Sequence, residues 1–533
     1  MSLRKPYALF LLILCGVVLL GPLLNLFFRE WRTAACDELF ASDSPDRPRL
    51  IGLGFATLRL TAGTTALACV LGVTVALAIQ RARGRWRRLL ASLYPIPLLL
   101  PPAIVAVGWT HLLGKRGLAA ALWRQWTGAP ELPFSIYGEW GSACVLALCW
   151  FPLVTLATLV GLRMVGTRMG AAGRIYAGFW QRTWKLDLPL LLPYVSAGGA
   201  CVAWLALGDF DVPSVFLRNA YPIEIFTAFQ AQPNVARAVA VSLPLVLGAA
   251  LVLALRQALA RRGSVATLDT GWSATTPEQE WPVSTSRMLQ AAAVVVLMLA
   301  VAAPLVALAH QTEDWNNVRL ALWTAGQELL TTFRIALLAG LVAVLAAAPY
   351  ARLLNTCSGR WQRGVLALLA IVPLAIPGTL HGLAWLQTLA AYAWGRELLQ
   401  SPLLVPLCHA ARFFPFAVFL LVAVCGGLHP VFGEAARGAG ATPWRAWWRV
   451  SFPLVYPGFV AAFAVVFALS AGELSASILL NPIGLSTLPV RISSLLHFGK
   501  DELLAALCLA QVFLALVPYL IATVLLERGM EAR

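Results

Sequence analysis

The sequence predicts an all-α integral membrane protein with about 12 transmembrane helices, arranged as two tandem six-helix domains. Three observations predict it: an apolar composition, apolar segments along the whole chain, and a repeat between the halves. Of the 533 residues, 60% are hydrophobic and 12% are charged, and the mean hydropathy is +0.77. A soluble globular protein is close to half apolar and a quarter charged, so this composition favours a lipid environment.

Apolar segments long enough to cross a bilayer, roughly 20 residues each, recur from one end of the chain to the other. The first follows Arg4 and Lys5. It is too long for the apolar part of a cleavable signal peptide, so we expect it to remain as the first helix. The predicted spans cover about 7–28, 52–80, 89–113, 139–162, 190–208, 237–259, 288–310, 331–351, 364–388, 402–427, 454–472 and 503–526.

The distribution of Lys and Arg predicts the orientation. An even number of spans puts both termini on one side, and if that side is the cytoplasm, its segments hold 24 of the 40 Lys and Arg residues. The opposite side holds 15, and Arg59 lies within a span. Cytoplasmic loops carry the excess of positive charge in membrane proteins, so both termini are predicted to be cytoplasmic. The net charge of +16 therefore reflects topology, and no nucleic acid partner is expected.

The two six-span halves repeat each other. The matches are Gly84-Arg85-Trp86 with Gly359-Arg360-Trp361, then Pro97, Pro101 and Trp109 with Pro373, Pro377 and Trp385, and finally Pro189 with Pro453. The offset falls from 276 to 264 because the loop at 114–138 is longer than the loop at 389–401. The pattern predicts an internal duplication of parallel orientation. The predicted units are a first domain at 1–260, a polar cytoplasmic linker at 261–287 and a second domain at 288–533.

Four residues are candidates for lining a path between the halves. Pro101 and Pro377 interrupt the third helix of each half, and the freed backbone groups need neighbouring protein or a wet cavity; a plain packing kink is the alternative. Asp211 and Glu473 match at an offset of 262. Acids facing one central axis would suit a cationic solute. The alternatives are that each acid pairs with an Arg or lies at the external mouth.

The ten cysteines and six histidines predict no metal, cofactor or catalytic site. Eight of the cysteines lie within apolar stretches, and no C-x-x-C pair occurs. The histidines lack metal-ligand spacing. His381 lies within a helix, and the matching position of the first half is Val105, so a packing hydrogen bond is the expected role of its ring.

A short loop between the fourth and fifth spans of the second half has an unusual pattern. Glu434 stands near a predicted helix start, where a carboxylate suits the helix dipole. Ala435 and Ala436 permit another surface to approach closely, and Gly440 permits a turn that other residues resist. Pro453 is well placed to open the next membrane helix.

This loop resembles the signature loop of the membrane subunits of type I ATP-binding-cassette importers. That signature is Glu-Ala-Ala, three residues, Gly, nine residues, an aliphatic residue, any residue and Leu-Pro. The residues on this spacing are Glu434, Ala435, Ala436, Gly440, Val450 and Pro453, with Phe452 in place of Leu. The resemblance implies that the loop, including Arg437, docks onto a separate ATPase subunit.

The first half departs from this pattern. Pro189 ends its loop, and Ala171 and Ala172 occupy the alanine positions, but Gly170 replaces the Glu. Arg174 is then the candidate polar contact in this half. We predict one intact and one degenerate coupling loop.

The chain contains no G-x-x-x-x-G-K-[ST] phosphate loop, so it is predicted not to hydrolyse ATP and not to be an enzyme. The resemblance implies energy from ATP-binding-cassette ATPase subunits, expected in two copies, and an extracytoplasmic solute-binding protein that delivers the solute. It also implies a multi-pass location in a bacterial inner (plasma) membrane. A twelve-helix secondary transporter is the alternative of a different class, although it would not explain the coupling-type loops.

Two tandem permease domains in one chain are typical of the ferric-iron and thiamine importers. The segments 472–476, 487–492 and 495–499 resemble the ferric-iron branch. Ferric iron is therefore the expected solute, and thiamine or a polyamine, which are also cationic, are the alternatives.

Overall fold

The computed structural model describes residues 21–22, 25, 47–129, 131–164, 188–231, 235–262, 283–357, 359–428, 430–482, 484–498 and 501–531. This part of the chain is almost entirely helical and contains no strand. Three predicted features lie largely or wholly outside the described residues: the first span at 7–28, the first-half coupling loop with Ala171, Ala172 and Arg174, and residues 263–282 of the linker.

The first half contributes ten described helices. They are α1 (Arg47–Arg81), α2 (Gly84–Leu93), α3 (Ile96–Leu99), α4 (Pro102–Leu113), α5 (Leu118–Thr127), α6 (Glu139–Met164), α7 (Leu188–Leu207), α8 (Asp211–Val215), α9 (Tyr221–Ala231) and α10 (Val235–Arg262).

The second half follows the same order. Its helices are α11 (Val283–Leu297), α12 (Ala303–Gln311), α13 (Trp315–Thr324), α14 (Gly326–Thr356), α15 (Arg360–Ala375), α16 (Gly378–Ala390), α17 (Ala393–Leu399), α18 (Leu404–Gly426), α19 (Pro430–Gly438), α20 (Pro443–Ala446), α21 (Phe452–Ala471), α22 (Ser477–Leu480), α23 (Leu488–Phe498) and α24 (Asp501–Glu531). Two π-helical segments, Met298–Ala302 and Trp447–Ser451, join α11 to α12 and α20 to α21.

The predicted fold class is confirmed. Within the described residues, eight helices are long and apolar enough to cross a membrane, and the number rises to ten if each of two bent pairs is one span. Every predicted span from 52–80 onward falls on one of these helices or bent pairs, except the span at 237–259, which falls on α10. The total of 12 spans and the side of the termini stay predictions.

The third predicted span of each half is bent rather than straight. The axis turns by 96° between Leu99 and Pro102, and by 96° again between Leu374 and Gly378. The residues before the two prolines, Leu100 and Ile376, are both extended, with ψ of 129°. Proline disfavours the helical conformation of the preceding residue and lacks an N–H, so it ends the first arm at the same point in both halves.

A second shared feature fixes the helix that precedes the last span of each half. The hydroxyl oxygen of Thr57 on α1 accepts a hydrogen bond from the backbone N–H of Tyr221 (2.9 Å). The hydroxyl oxygen of Thr332 on α14 accepts one from the N–H of Leu488 (2.8 Å). Both bonds are buried and join equivalent helices, which supports the predicted duplication. The domain boundaries themselves stay a prediction.

The two halves are interleaved rather than side by side. One apolar core combines α1, α4 and α6 with α11, α12 and α24 of the second half. The other core combines α14, α15, α16 and α18 with α7, α9 and α10 of the first half. In addition, Asn25 donates a hydrogen bond to the hydroxyl of Thr388 on α16 (3.3 Å). Each half therefore completes the core of the other, and a movement of one half must strain or shift both cores.

Candidate functional site

The two halves meet at a reciprocal contact between glycine and proline. Gly208, directly after α7, lies against Pro377, and Gly472, directly after α21, lies against Pro101. A Cβ atom added at Gly208 would stand 3.3 Å from the Pro377 Cα, and one added at Gly472 would stand 2.9 Å from the Pro101 Cβ. Larger residues would push the halves apart. The structure thus brings both predicted prolines to the junction between the halves.

An acidic residue follows each of these glycines. Asp209 Oδ1 accepts a hydrogen bond from the N–H of Val212 (3.0 Å), and Glu473 Oε1 accepts one from the N–H of Ala476 (3.0 Å). Each acid directly follows a junction glycine and accepts a hydrogen bond from the N–H three residues later. Asp209 is therefore the structural equivalent of Glu473.

The structure therefore corrects the sequence match of Asp211 with Glu473. The sequence does contain the right signal. The dipeptides Gly208-Asp209 and Gly472-Glu473 are separated by 264, the offset that also relates Pro189 to Pro453. Asp211 instead opens the short helix α8, and its Oδ1 atom is buried and has no hydrogen-bond partner within the described residues.

Glu473 is paired, as one of the sequence alternatives anticipated. Arg412 on α18 donates from Nη1 to Glu473 Oε1, and both side chains are largely buried. Gly378 leaves the space for this pair, because a Cβ atom there would collide with the guanidinium. Asp209 and Asp211 of the first half both interact electrostatically with Arg412 and Glu473. We call these four residues the axial cluster: Asp209, Asp211, Arg412 and Glu473.

The axial cluster is asymmetric between the halves. Phe151-Pro152 on α6 and Phe414-Pro415 on α18 match at an offset of 263, which places Cys149 at the position of Arg412. Cys149 is buried and interacts electrostatically with Asp209. The second half thus supplies a cation beside its acid, whereas the first half supplies a neutral thiol. Three acidic side chains therefore share one guanidinium, whose charge offsets that of one ionised acid.

His409 holds the segment that carries Glu473. Ser477 donates from its hydroxyl to the carbonyl of Glu473 (2.8 Å), so it accepts from Nε2–H of His409 (3.2 Å). The Nδ1 atom of the ring then accepts from Ser470 (2.8 Å). This neutral tautomer joins α18, α21 and α22. The packing role expected for His381 is found at His409 instead, while the buried ring of His381 has no hydrogen-bond partner among the described residues.

The described residues contain no group of three or more His, Cys, Asp and Glu side chains that could hold a metal ion. Within these residues, the axial cluster is characterised by its charges. It can attract a positively charged group or stabilise one that passes.

The second-half loop forms an exposed helix. Glu434 and Ala435 on α19 are exposed, and Glu434 makes no ion pair or hydrogen bond within the described part of the chain. The helix ends at Gly438, and Gly440, two residues further on, has φ of +83°. The N–H groups of Gly440 and Ala441 bond back to the carbonyls of Arg437 and Ala436 (both 3.0 Å). These two hydrogen bonds form a Schellman cap, in which the left-handed residue, here Gly440, is usually glycine.

The loop is tied to the membrane helices by aromatic side chains. Trp444 and Trp448 meet edge to face, with ring centroids 5.6 Å apart. The guanidinium of Arg352, near the end of α14, lies 5.9 Å from the ring centroid of Trp447. Such cation–π contacts stabilise by about 0.5–2 kcal/mol. A force on α19 would therefore be transmitted to α14 and, through the continuous helix from Trp444 to Ala471, to Gly472 at the junction.

The prolines that close the two coupling loops take equivalent places. Pro189 is the second residue of α7, and Pro453 is the second residue of α21. A missing N–H costs nothing in the first turn of a helix.

No family model matches the chain.

Several curated proteins are similar in sequence. The molybdenum transport system permease protein ModB of Mycobacterium tuberculosis is 30% identical over 211 residues, which are 37% of this chain and 75% of that protein. The putative 2-aminoethylphosphonate transport system permease protein PhnV of Salmonella paratyphi A is 32% identical over 205 residues, 38% of this chain and 74% of that protein. The Fe(3+)-transport system permease protein FbpB 2 of Haemophilus influenzae is 23% identical over 508 residues, 92% of this chain and 93% of that protein.

The geometry of the axial cluster predicts unequal losses of stability when Arg412 or Glu473 is replaced. Arg412→Ala leaves three carboxylates without their cation, which we expect to cost about 3–5 kcal/mol, the range for breaking a buried pair from one side. Glu473→Gln keeps Arg412 beside Asp209 and Asp211, so the loss should be clearly smaller. The measurement is the thermal unfolding midpoint of the purified protein in detergent. Arg334→Ala, an exposed arginine, serves as the control, and equal losses for the two cluster variants would contradict the geometry.

Proposed function

We propose the following function from one premise: the chain belongs to the family of membrane permease subunits of ATP-binding-cassette importers. The chain forms the membrane path for a small solute, and separate ATPase subunits supply the energy. The likeness over 92% of this chain and 93% of the Fe(3+)-transport permease supports a single chain that carries both permease domains. The likeness to ModB and PhnV covers less than half of this chain.

Ferric iron is the solute that we propose. A relative that matches nearly end to end is named for Fe(3+) transport, and the axial cluster has three acidic side chains for one guanidinium, an excess of groups that can pair with a cation. Relatives named for molybdenum and 2-aminoethylphosphonate match over a shorter region. The ligands for iron are assigned to the binding protein, as the family resemblance implies. Thiamine or a polyamine would satisfy the same charge.

The partners follow from the exposed coupling helix. We propose that α19 docks on one ATPase subunit and that the first-half loop docks on a second copy. An extracytoplasmic solute-binding protein delivers the solute to the opposite face, and the complex lies in the plasma membrane of a bacterium. A secondary transporter would have no use for a capped, exposed helix that is tied to the membrane helices.

The proposed cycle is alternating access between the two halves. Closure of the ATPase subunits pushes the coupling loops, and the push reaches the junction along α21. Gly208 then separates from Pro377, and Gly472 separates from Pro101, which opens the axial cluster to the outside. Since the two apolar cores are interleaved, both contacts are expected to open together.

The solute is tested by transport in proteoliposomes. The permease is reconstituted with its ATPase, and the binding protein encoded beside it is supplied outside, loaded with radiolabelled Fe³⁺. We expect Fe³⁺ to accumulate only when ATP is present inside. Molybdate, 2-aminoethylphosphonate, thiamine and spermidine are offered in parallel. ATP-dependent uptake of molybdate or 2-aminoethylphosphonate, with none of Fe³⁺, would reject the cationic solute.

Unequal coupling by the two loops is tested by reversing one charge in each. We expect Glu434→Lys to lower the ATPase activity stimulated by the loaded binding protein about tenfold, because the reversal places a cation where the ATPase surface meets a carboxylate. Arg174→Glu should lower it less than about twofold. Glu280→Lys, a reversal in the linker, controls for the change of net charge. Equal loss in the two loop variants would show that the loops couple equally.

A further inference from the structure

A second charged cluster, distinct from the axial cluster, lies in the first half. Arg59 on α1 and Arg218 after α8 each donate from Nη2 to Glu139 Oε1, the first residue of α6, at 2.9 Å. Together with Tyr137, Trp140, Phe216 and Leu217, they line a cleft of about 540 Å³. We call it the Arg59–Arg218 cleft.

The Arg59–Arg218 cleft lies at the end of the molecule opposite to the coupling loops. Glu139 and Met164 are the two ends of α6, a helix of 26 residues, and the segment after Met164 leads to the first-half coupling loop. At 1.5 Å per residue the helix is about 39 Å long, more than the roughly 30 Å of a hydrocarbon core. With the coupling loops on the cytoplasmic side, as proposed, the cleft opens outside the membrane.

The charges of the cleft are only partly compensated. Two guanidinium groups share one carboxylate, so the cleft carries a net charge of one positive unit. The Arg59 and Arg218 side chains are 69% and 52% exposed, whereas Glu139 is 24% exposed. A guanidinium has five N–H donors, and most of those in the cleft face open space. The site can therefore accept a further carboxylate without displacing Glu139.

Exposed apolar side chains surround these charges. Trp140 is 81% exposed and Leu217 is 78% exposed. Leu217 has φ of +57°, a conformation that is costly for a residue with a branched side chain and persists only where the surroundings impose it. Arg and Trp beside apolar surface are the residues enriched in protein–protein interfaces. The cleft thus combines the features of a protein contact.

The second half lacks two of the three charged residues that form the cleft. Arg59 matches Arg334 at the offset of 275 that relates Thr57 to Thr332. The position of Glu139 is Pro402, at the offset of 263 that relates α6 to α18. Likewise, Arg218 matches Leu485. Of the three charged residues, the second half has only the arginine, Arg334, which makes no ion pair within the described residues.

The cleft is joined to the axial cluster by a short stretch of chain. Gly208 and Asp209 begin the segment at the junction between the halves, and Leu217 and Arg218 end it at the cleft. The small helix α8 lies between them and packs against α4. A contact that moves Arg218 is therefore within ten residues of Gly208, which must move when the path opens.

We propose that the Arg59–Arg218 cleft docks a surface Asp or Glu of the extracytoplasmic solute-binding protein, and that the second half makes a contact of different chemistry. This inference rests on the proposed function, which supplies that partner. Charge complementarity selects the acidic side chain, and the apolar rim selects a protein surface over a lipid headgroup. The asymmetry gives the binding protein one defined orientation on the permease.

The test compares variants that break the same ion pairs with opposite effects on charge. The full complex in nanodiscs is titrated with the purified binding protein, and the dissociation constant is measured. We expect Arg59→Gln with Arg218→Gln to weaken binding about tenfold. Glu139→Gln should leave the affinity within about twofold or strengthen it, since it breaks both pairs but frees both arginines. Arg334→Gln, the matched control in the second half, should have no effect.

The outcomes separate this inference from the proposed function. If the unchanged complex does not bind the protein, the proposed function fails and this inference with it. If the unchanged complex binds and the double arginine variant binds equally, the docking inference alone is overturned. If Glu139→Gln weakens binding as much as the double variant does, the cluster acts only as a structural brace. If the effect appears in phosphatidylglycerol nanodiscs but not in phosphatidylcholine nanodiscs, the cleft binds lipid headgroups instead.

Discussion

The reciprocal contact between glycine and proline at the junction is the constraint on which the rest of the structure depends. Each proline ends one arm of a bent helix, and each glycine lets the opposite half approach that bend to within van der Waals distance. Because Gly208 and Gly472 carry the acids Asp209 and Glu473 directly after them, the same contact places the charges on the axis. A closely packed junction has few arrangements available, and it favours a switch between two discrete states over gradual opening.

Approximate symmetry in the backbone coexists with asymmetry in chemistry. The bends and the threonine hydrogen bonds occur in both halves, so the duplicated fold is retained where it builds the junction. The side chains differ where ligands or partners are proposed to meet the chain. In sequence, Arg412 corresponds to Cys149 and Glu434 to Gly170, and Pro402 and Leu485 of the second half correspond to Glu139 and Arg218 of the cleft. A fused chain permits this, since each half can specialise without disturbing a second copy of itself.

The sequence predicts much of the fold because apolar runs of bilayer length leave little choice of structure. It also predicts the capped turn at Gly440, a local property of the backbone. For the right-angled bends, the sequence predicts only the interruptions at Pro101 and Pro377, because the bend angle depends on packing. The Arg412–Glu473 pair spans 61 residues, and no local pattern reveals it. The sequence matches Asp211 rather than Asp209 with Glu473 because the dipeptides Ala206-Leu207 and Ala468-Leu469 also repeat, at an offset of 262.

The junction is tested most directly by disulfide cross-linking in a chain whose ten native cysteines are replaced. A Cβ atom at Gly208 would stand 3.6 Å from that of Pro377, within the range of about 3.5–4.5 Å that disulfides need. One at Gly472 would stand 2.9 Å from that of Pro101, so this pair must separate by roughly 0.6 Å to reach that range. The account predicts that Gly208→Cys with Pro377→Cys, and Gly472→Cys with Pro101→Cys, both cross-link in the resting complex, whereas Gly208→Cys with Pro101→Cys does not. Cross-linking of only one pair, or of neither, would contradict the reciprocal contact.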